Sequence, residues 1–305
     1  MLLLGASSVI LCLSYLMALF TPFPLAVATV LYGRAKGYAM ALVGVSLCLG
    51  LGYLFFKDYT LAASYILLAA TAIVVSETLL RGWRPVRSVV VTGLVFLTLV
   101  AGIGTGYLKE TKQSLHTAVT NEVELVLQRL EEAKASGAMA QDLADLGLAR
   151  PAGDIAQEMI ETLPGYVFGG IFFLLWINMY LALKSRRLLQ PAQDHSFDER
   201  TLLDFKVPFA GAYVVALALA LAVWGEMVPY GSVVGFTVLR AIGVFYFFQG
   251  FGVALGFLNH FQVVGFFRTL AIMAVVFFAA WLLAVLGLFD TWFDFNQKFK
   301  KQVSN

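Results

Sequence analysis

The chain has 305 residues, of which 60% are hydrophobic and 13% are charged, and its formal net charge is +2. Soluble domains carry about 25% charged residues, so this composition excludes a water-soluble globular protein and requires the lipid bilayer as a partner. The small net charge comes without the clustered basic face that nucleic-acid binding needs, and we expect no nucleic-acid partner.

Apolar runs recur along the chain, and a helix needs about 20 such residues to cross the hydrocarbon core of a bilayer. They predict an all-α, polytopic transmembrane helix bundle of about eight spans. The first run contains no Lys or Arg, which favours a retained membrane helix over a cleaved secretory signal. The predicted spans are Leu2–Phe20, Tyr38–Phe56, Thr60–Leu80, Val89–Leu108, Tyr166–Leu183, Pro208–Trp224, Phe236–Phe257 and Val264–Leu288.

A short proline-containing segment, residues 22–33, separates the first two predicted spans. Its apolar part, Leu25–Tyr32, is too short to cross the membrane. Pro22 and Pro24 are tolerated at the start of a helix but not inside one. We therefore expect a half-helix, which is either re-entrant and sheltered by protein or an interfacial linker.

Basic residues cluster in alternate loops, and cytoplasmic loops carry an excess of Lys and Arg. This rule places Arg81–Arg87 and Lys184–Arg187 on the cytoplasmic side and Lys109–Glu161 on the opposite side. The basic C-terminal tail then falls outside, against the rule. We expect a multi-pass protein of the bacterial inner membrane.

The long polar insertion, residues 109–163, has more acidic than basic side chains. Apolar residues recur every three or four positions after Ser114, which predicts a helix over Ser114–Ala135. Pro151 opens a second predicted helix, Pro151–Thr162, and Pro164-Gly165 is expected to break it. The pair is either a hairpin packed on the membrane surface or the bundle, or a lid over a central cavity.

These boundaries divide the chain into four regions. Residues 1–108 hold the N-terminal membrane helices, and residues 109–163 form the insertion. Residues 164–288 hold the C-terminal membrane helices. Residues 289–305 form an amphipathic tail, in which Trp292 and Phe293 are typical of an aromatic anchor at the membrane interface.

The sequence contains no motif for catalysis or nucleotide binding, and we expect no covalent chemistry, no cofactor and no metal. Cys12 and Cys48 both lie in apolar runs, which predicts small buried side chains instead of a disulfide or metal pair. Gly165-xxx-Gly169 and Gly252-xxx-Gly256 match the small-residue pattern that lets membrane helices approach closely.

Four polar residues in the apolar runs are the candidate ligand-binding residues: Arg240, Gln249, Asn178 and Glu77. An arginine at the bilayer centre costs about 2.5–3.5 kcal/mol on the insertion scale. Arg240 therefore either bonds structurally to carbonyls or an acid, or lines a solvated or ligand-binding cavity. Asn178 is expected to bond another helix, and Glu77 precedes Arg81 by four residues, which allows a local ion pair.

Several stretches of the chain together resemble the YybS-like family of bacterial integral membrane proteins, also called domain of unknown function 2232. They are Leu163–Gly165, the helix with Asn178, Lys184–Arg187, Phe205–Pro208, Tyr246–Gly250 and Gly287–Asp290 with Phe293. The resemblance spans most of the chain and implies a polytopic membrane protein without supplying an activity.

That family is distantly similar to the substrate-binding subunits of energy-coupling-factor transporters and to the rod-shape protein MreD. The proline-rich half-helix is the feature that suggests this relation. The chain differs from both by about two more spans and by the acidic insertion.

We expect a small-molecule-binding or transport-related membrane subunit, with Arg240, Gln249 and Asn178 lining its cavity. One alternative is a non-transporting scaffold that organises envelope proteins as membrane partners. A third is an enzyme acting on a lipid-linked substrate, for which Glu77 and Glu226 are the available acids, but we expect no enzyme. A polar cavity that includes Arg240 would favour binding, and a packed bundle in which carbonyls satisfy Arg240 would favour the scaffold.

Overall fold

A computed structural model describes residues 1–14, 17–57, 59–112, 114–135, 150–189, 197, 199–225 and 230–295. Within these residues the regular elements are helices, and none is a strand. The helices are α1 (Leu2–Leu13), α2 (Pro22–Tyr32), α3 (Arg34–Leu51), α4 (Thr60–Arg81), α5 (Pro85–Thr111), α6 (Leu115–Ala135), α7 (Ala152–Leu189), α8 (Glu199–Leu203), α9 (Ala210–Trp224), α10 (Gly231–His260), α11 (Gly265–Phe278) and α12 (Ala280–Phe293).

The predicted all-α polytopic fold is confirmed, although fewer helices qualify as membrane spans than the sequence predicted. Five described helices are long and apolar enough to cross a membrane, and a sixth span results if the bent pair α11 and α12 counts as one. The five are Arg34–Phe55, which is α3 with the π-helical turn Gly52–Phe56 that follows it, and Thr60–Arg81, Pro85–Thr111, Ala152–Ser185 and Gly231–His260.

Two backbone breaks and one short helix account for the difference in the number of spans. Helix α1 has 12 residues and ends where Ser14 adopts an extended backbone, so it is about 18 Å long at 1.5 Å per residue. Helix α9 has 15 residues. Helices α11 and α12 meet at an angle of 92°, because Ala279 leaves the helical conformation. Hydropathy records apolar residues but not such breaks.

The half-helix α2 is sheltered by protein. Eight of its 11 residues are buried, from Pro22 to Val30, and it packs against α1, α3 and α4. Gly33, at φ +90°, ends it in the left-handed region that favours glycine, and α3 follows at once. Protein therefore covers most of the half-helix, as a re-entrant segment would require.

The chain divides into two compact units. The first comprises Met1–Leu94, Gly170–Pro208 and Val244–Asn305, and the second comprises Val95–Gly169 and Phe209–Gly243. Aromatic rings fill part of the core of the first unit. Trp176 stacks on Phe248 with ring centroids 4.7 Å apart, and Phe251 meets the Trp176 ring edge-on at 5.1 Å.

Helices α10 and α12 approach each other at two glycines of the first unit. A Cβ atom on Gly250 would lie 1.8 Å from the Leu283 carbonyl oxygen, and one on Gly287 would lie 1.9 Å from the Tyr246 carbonyl oxygen. Gly252 of the predicted small-residue pattern faces a different element, because its Cβ would lie 2.0 Å from the Leu203 carbonyl oxygen.

The second unit contains the described part of the polar insertion. Helix α6 and the start of α7 pack through Val123, Ile155 and Ala156, which matches the predicted amphipathic helices. The expected break at Pro164-Gly165 is wrong, because α7 continues through Pro164 as one helix. Residues 136–149 of the insertion, Glu226 and residues 296–305 of the tail lie outside the described residues.

Candidate functional site

Arg240 of the second unit lies against aromatic rings. Its guanidinium carbon is 5.4 Å from the centre of the Tyr166 ring and 6.0 Å from that of Phe236. We expected an acid, carbonyls or water, but among the described residues of this unit the contacts of the guanidinium are these two rings. Tyr166 begins the apolar run of α7, so the contact places Arg240 at the end of that run, where aromatic residues anchor helices to the membrane interface.

Gln249 is buried in the first unit and links three segments of the chain. Its side-chain oxygen accepts a hydrogen bond from the backbone N–H of Val207 at 2.9 Å. Its side-chain nitrogen donates to Asp290 Oδ2 at 2.9 Å. Gln249 and Asp290 are each 1% exposed, so protein groups occupy both ends of the Gln249 amide.

Asn178 is fully buried on α7 and holds the turn that precedes the half-helix. Its side-chain nitrogen donates to the carbonyl oxygens of Leu19 at 2.9 Å and Leu174 at 2.8 Å. Its side-chain oxygen has no hydrogen-bond partner within the described residues. The Leu19 bond connects α7 to the segment between α1 and α2, as expected for an amide inside a membrane span.

Glu77 is the shared acceptor of three donors at the end of α4. Arg34 Nε and the Tyr38 hydroxyl each donate to Glu77 Oε1 at 2.6 Å, and Arg81 Nε donates to Oε2 at 2.6 Å. The Glu77 side chain is 11% exposed, whereas the two arginines are about half exposed. The sequence predicted the local pair with Arg81, but Arg34 and Tyr38 are too distant in the chain to be predicted.

Within the first unit, the structure does not gather the predicted residues into one site. Gln249, Asn178 and Glu77 belong to the first unit, and each makes its own set of bonds. No contact of the described residues joins any two of these three. Arg240 belongs to the second unit, where its contacts are those given above.

A different cavity, the basic pocket, lies at the turn between α4 and α5. Its volume is about 610 Å³. Gly82, at φ +63°, ends α4 in the left-handed region, and α5 begins at Pro85. The lining residues are Val74, Gly82, Trp83, Arg84, Arg87, Ser88, Val91, Thr92 and Phe197.

Positive charge dominates the polar side of the basic pocket. Arg84 and Arg87 are exposed, and neither has an acidic partner among the described residues. The N-terminus of α5 adds the positive end of a helix dipole. The backbone N–H groups of Val86 and Arg87 are among the first of this helix, which have no acceptor inside it.

Ser88 supplies a hydroxyl to the same pocket. The residue is 8% exposed and lines the cavity, yet its hydroxyl makes no hydrogen bond within the described part of the chain. Its backbone N–H donates to the Arg84 carbonyl at 3.0 Å, which fixes the first turn of α5. This hydroxyl is therefore available to a bound group.

The chemistry of the basic pocket is that of anion binding. Guanidinium groups and helix N-termini are the usual ligands of phosphate and carboxylate. The described residues contain no group of three or more His, Cys, Asp or Glu side chains that could hold a metal ion. Sequence reasoning found these arginines but interpreted them only as signals of orientation. The additional signal was their spacing around Trp83 and Ser88 at the start of one helix.

Comparison with known proteins identifies the family. Residues 1–291 match the profile of a family described as predicted membrane protein DUF2232. No curated protein and no solved structure matches the chain. Because the match covers nearly the whole sequence, the chain belongs to the DUF2232 family of predicted membrane proteins.

Proposed function

We propose that this protein is a ligand-binding subunit of the bacterial cytoplasmic membrane and that the basic pocket binds an anionic amphiphile. The observation that carries the proposal is a cavity of about 610 Å³ lined by Arg84 and Arg87, neither of which has an acidic partner among the described residues. Ser88, a residue that is 8% exposed, lines the same space.

The distribution of polar and apolar groups supports an amphiphile over a fully polar ligand. The two arginines, Ser88 and the start of α5 form the polar side of the pocket. Val74, Val91 and Phe197 form an apolar wall. A headgroup at the arginines would leave its hydrocarbon part along this wall, where burial of apolar surface is favourable.

The partners of the nearby basic residues show why Arg84 and Arg87 are the charges open to a ligand. Arg34 and Arg81 both bond Glu77, and Arg81 also lies 5.0 Å from the centre of the Trp83 ring. The Gln249 amide is likewise occupied by hydrogen bonds to Val207 and Asp290. A ligand site at Arg84 and Arg87 disrupts none of these bonds.

Thermal unfolding of the detergent-solubilised protein tests the proposal. We expect short-chain phosphatidylglycerol to raise the Tm more than short-chain phosphatidylcholine does. The double variant Arg84→Gln/Arg87→Gln should lose this difference. A matched variant, Lys36→Gln/Arg268→Gln, removes two basic residues outside the pocket and should keep it.

Two results would contradict the proposal. Equal stabilisation by the two lipids would show that the anionic headgroup is not recognised, as a scaffold without a lipid ligand predicts. If both double variants lose the extra Tm increase with phosphatidylglycerol equally, general surface charge attracts the lipid, and the basic pocket does not.

A further inference from the structure

The charges around the basic pocket indicate which anion it accepts. Arg84 and Arg87 contribute two positive charges, and the N-terminus of α5 adds about half an elementary charge. Glu77, the nearest acid on α4, is already shared by Arg34, Arg81 and Tyr38. The positive charge that lines the pocket is therefore not balanced by protein in the described residues.

A bound anion with a single charge would leave part of this positive charge uncompensated. A phosphodiester headgroup carries one negative charge, whereas a phosphate monoester carries about −1.5 to −2 at pH 7. A monoester also presents three terminal oxygens as acceptors. Two guanidiniums, the free N–H groups of α5 and the Ser88 hydroxyl supply donors for all three.

We propose that the ligand of the basic pocket is a phosphate monoester dianion, carried by a lipid whose chain lies along Val74, Val91 and Phe197. This inference rests on the proposed function, because it names the headgroup of the anionic amphiphile. Arg84 and Arg87 bind the terminal phosphate oxygens. The Ser88 hydroxyl, which has no partner among the described residues, donates a hydrogen bond to one of these oxygens.

Ser88 provides the second, independent support for this assignment. The residue is 8% exposed, and its hydroxyl, which makes no hydrogen bond within the described residues, lines the cavity. Ser88 and Thr92 are four residues apart and share one face of α5, and Arg84, four residues before Ser88, immediately precedes the helix. Along the pocket, the Arg84 guanidinium is thus followed by the hydroxyl groups of Ser88 and Thr92.

Binding of short-chain phosphatidic acid, phosphatidylglycerol and inorganic phosphate to the purified full chain, titrated by calorimetry, tests the inference. We expect phosphatidic acid to bind about tenfold tighter than phosphatidylglycerol at pH 7.5, the factor that one added charge-assisted hydrogen bond supplies. Inorganic phosphate should bind more weakly than phosphatidic acid, because it does not use the apolar wall.

The pH dependence separates the monoester from the diester. The second phosphate pKa is about 6, so lowering the pH to 5.5 removes negative charge from phosphatidic acid and leaves the diester unchanged. The preference for phosphatidic acid should shrink at pH 5.5. Ser88→Ala should reduce it at pH 7.5, and Thr98→Ala, a hydroxyl of α5 outside the pocket, should not.

The outcomes distinguish the two proposals. If both lipids bind equally and Arg84→Gln/Arg87→Gln abolishes binding, the monoester inference fails and the proposed function stands. If neither lipid binds, both fail. If inorganic phosphate binds as tightly as phosphatidic acid, the site takes free phosphate and the lipid assignment is wrong.

Discussion

Two polar regions of the first unit differ in how far the protein satisfies its own charges. Around Gln249, the amide is bonded to Val207 and Asp290, and both Gln249 and Asp290 are 1% exposed. In the basic pocket, Arg84 and Arg87 line an open cavity without an acidic partner among the described residues. The comparison teaches that a polar group whose hydrogen bonds are all made to protein has a packing role, whereas charged groups that line a cavity without a protein partner are candidates for binding a ligand.

We expect the largest loss of stability from a substitution at the contact between α10 and α12, the helices that carry Gln249 and Asp290. Gly287→Ala would place a Cβ atom 1.9 Å from the Tyr246 carbonyl oxygen, and backbone atoms cannot move aside as a flexible side chain can. We expect a loss of about 3 kcal/mol or more in unfolding free energy, or failure to fold.

The control is Gly104→Ala, because a Cβ there meets no atom within 4 Å. Folded yield and Tm measure both variants. Near-wild-type stability of Gly287→Ala would show that α10 and α12 are not in this close contact.

Gln249→Leu comes next, because it removes both hydrogen bonds of the amide. The Val207 N–H and the Asp290 carboxylate lose a partner in a buried place, which costs about 2–4 kcal/mol. The double variant Gln249→Leu/Asp290→Leu also removes the carboxylate that has lost this bond and should recover part of the loss. If the double variant is less stable than Gln249→Leu alone, Asp290 has another role that the Gln249 bond does not explain.

Glu77→Gln tests the ion-pair cluster of Glu77, Arg34 and Arg81, which is less buried than Gln249 but more fully bonded than the arginines of the basic pocket. Glu77 is nearly buried, but Arg34 and Arg81 are half exposed, so water screens part of the interaction. We expect a loss of about 1–3 kcal/mol. Glu158→Gln removes the exposed pair with Arg150 and should cost at most about 0.5 kcal/mol. Denaturant or thermal unfolding measures both variants. Equal losses of unfolding free energy in Glu77→Gln and Glu158→Gln would contradict the burial assigned to Glu77.

The sequence predicted the class of fold because hydropathy and helix-length rules act locally. It also identified α2 as a short proline-led segment. It predicted more spans than there are described helices long enough to cross a membrane, because nothing in the apolar runs marks the breaks at Ser14 and Ala279.

The candidate site was harder to predict. The contact between Arg34 and Glu77 joins residues 43 positions apart, and the burial of Asp290 was not visible in a tail that resembles an interface anchor. Arg240, Gln249 and Asn178 were selected because each is polar within an apolar run. Their partners, which decide their roles, come from tertiary packing alone.

The smallest expected effect on stability is at the basic pocket. Arg84→Gln/Arg87→Gln removes no bond between described residues, so we expect the unfolding free energy of lipid-free protein to change by less than about 0.5 kcal/mol. A larger loss would mean that the two arginines hold the turn between α4 and α5 and are structural, as Gln249 is.

The most direct test of the central claim is native mass spectrometry of protein extracted from membranes, which counts the lipids that remain bound. We predict that the wild type and Lys36→Gln/Arg268→Gln retain an anionic lipid and that Arg84→Gln/Arg87→Gln does not. Retention of the same anionic lipid by all three proteins would contradict the claim that the basic pocket is its binding site.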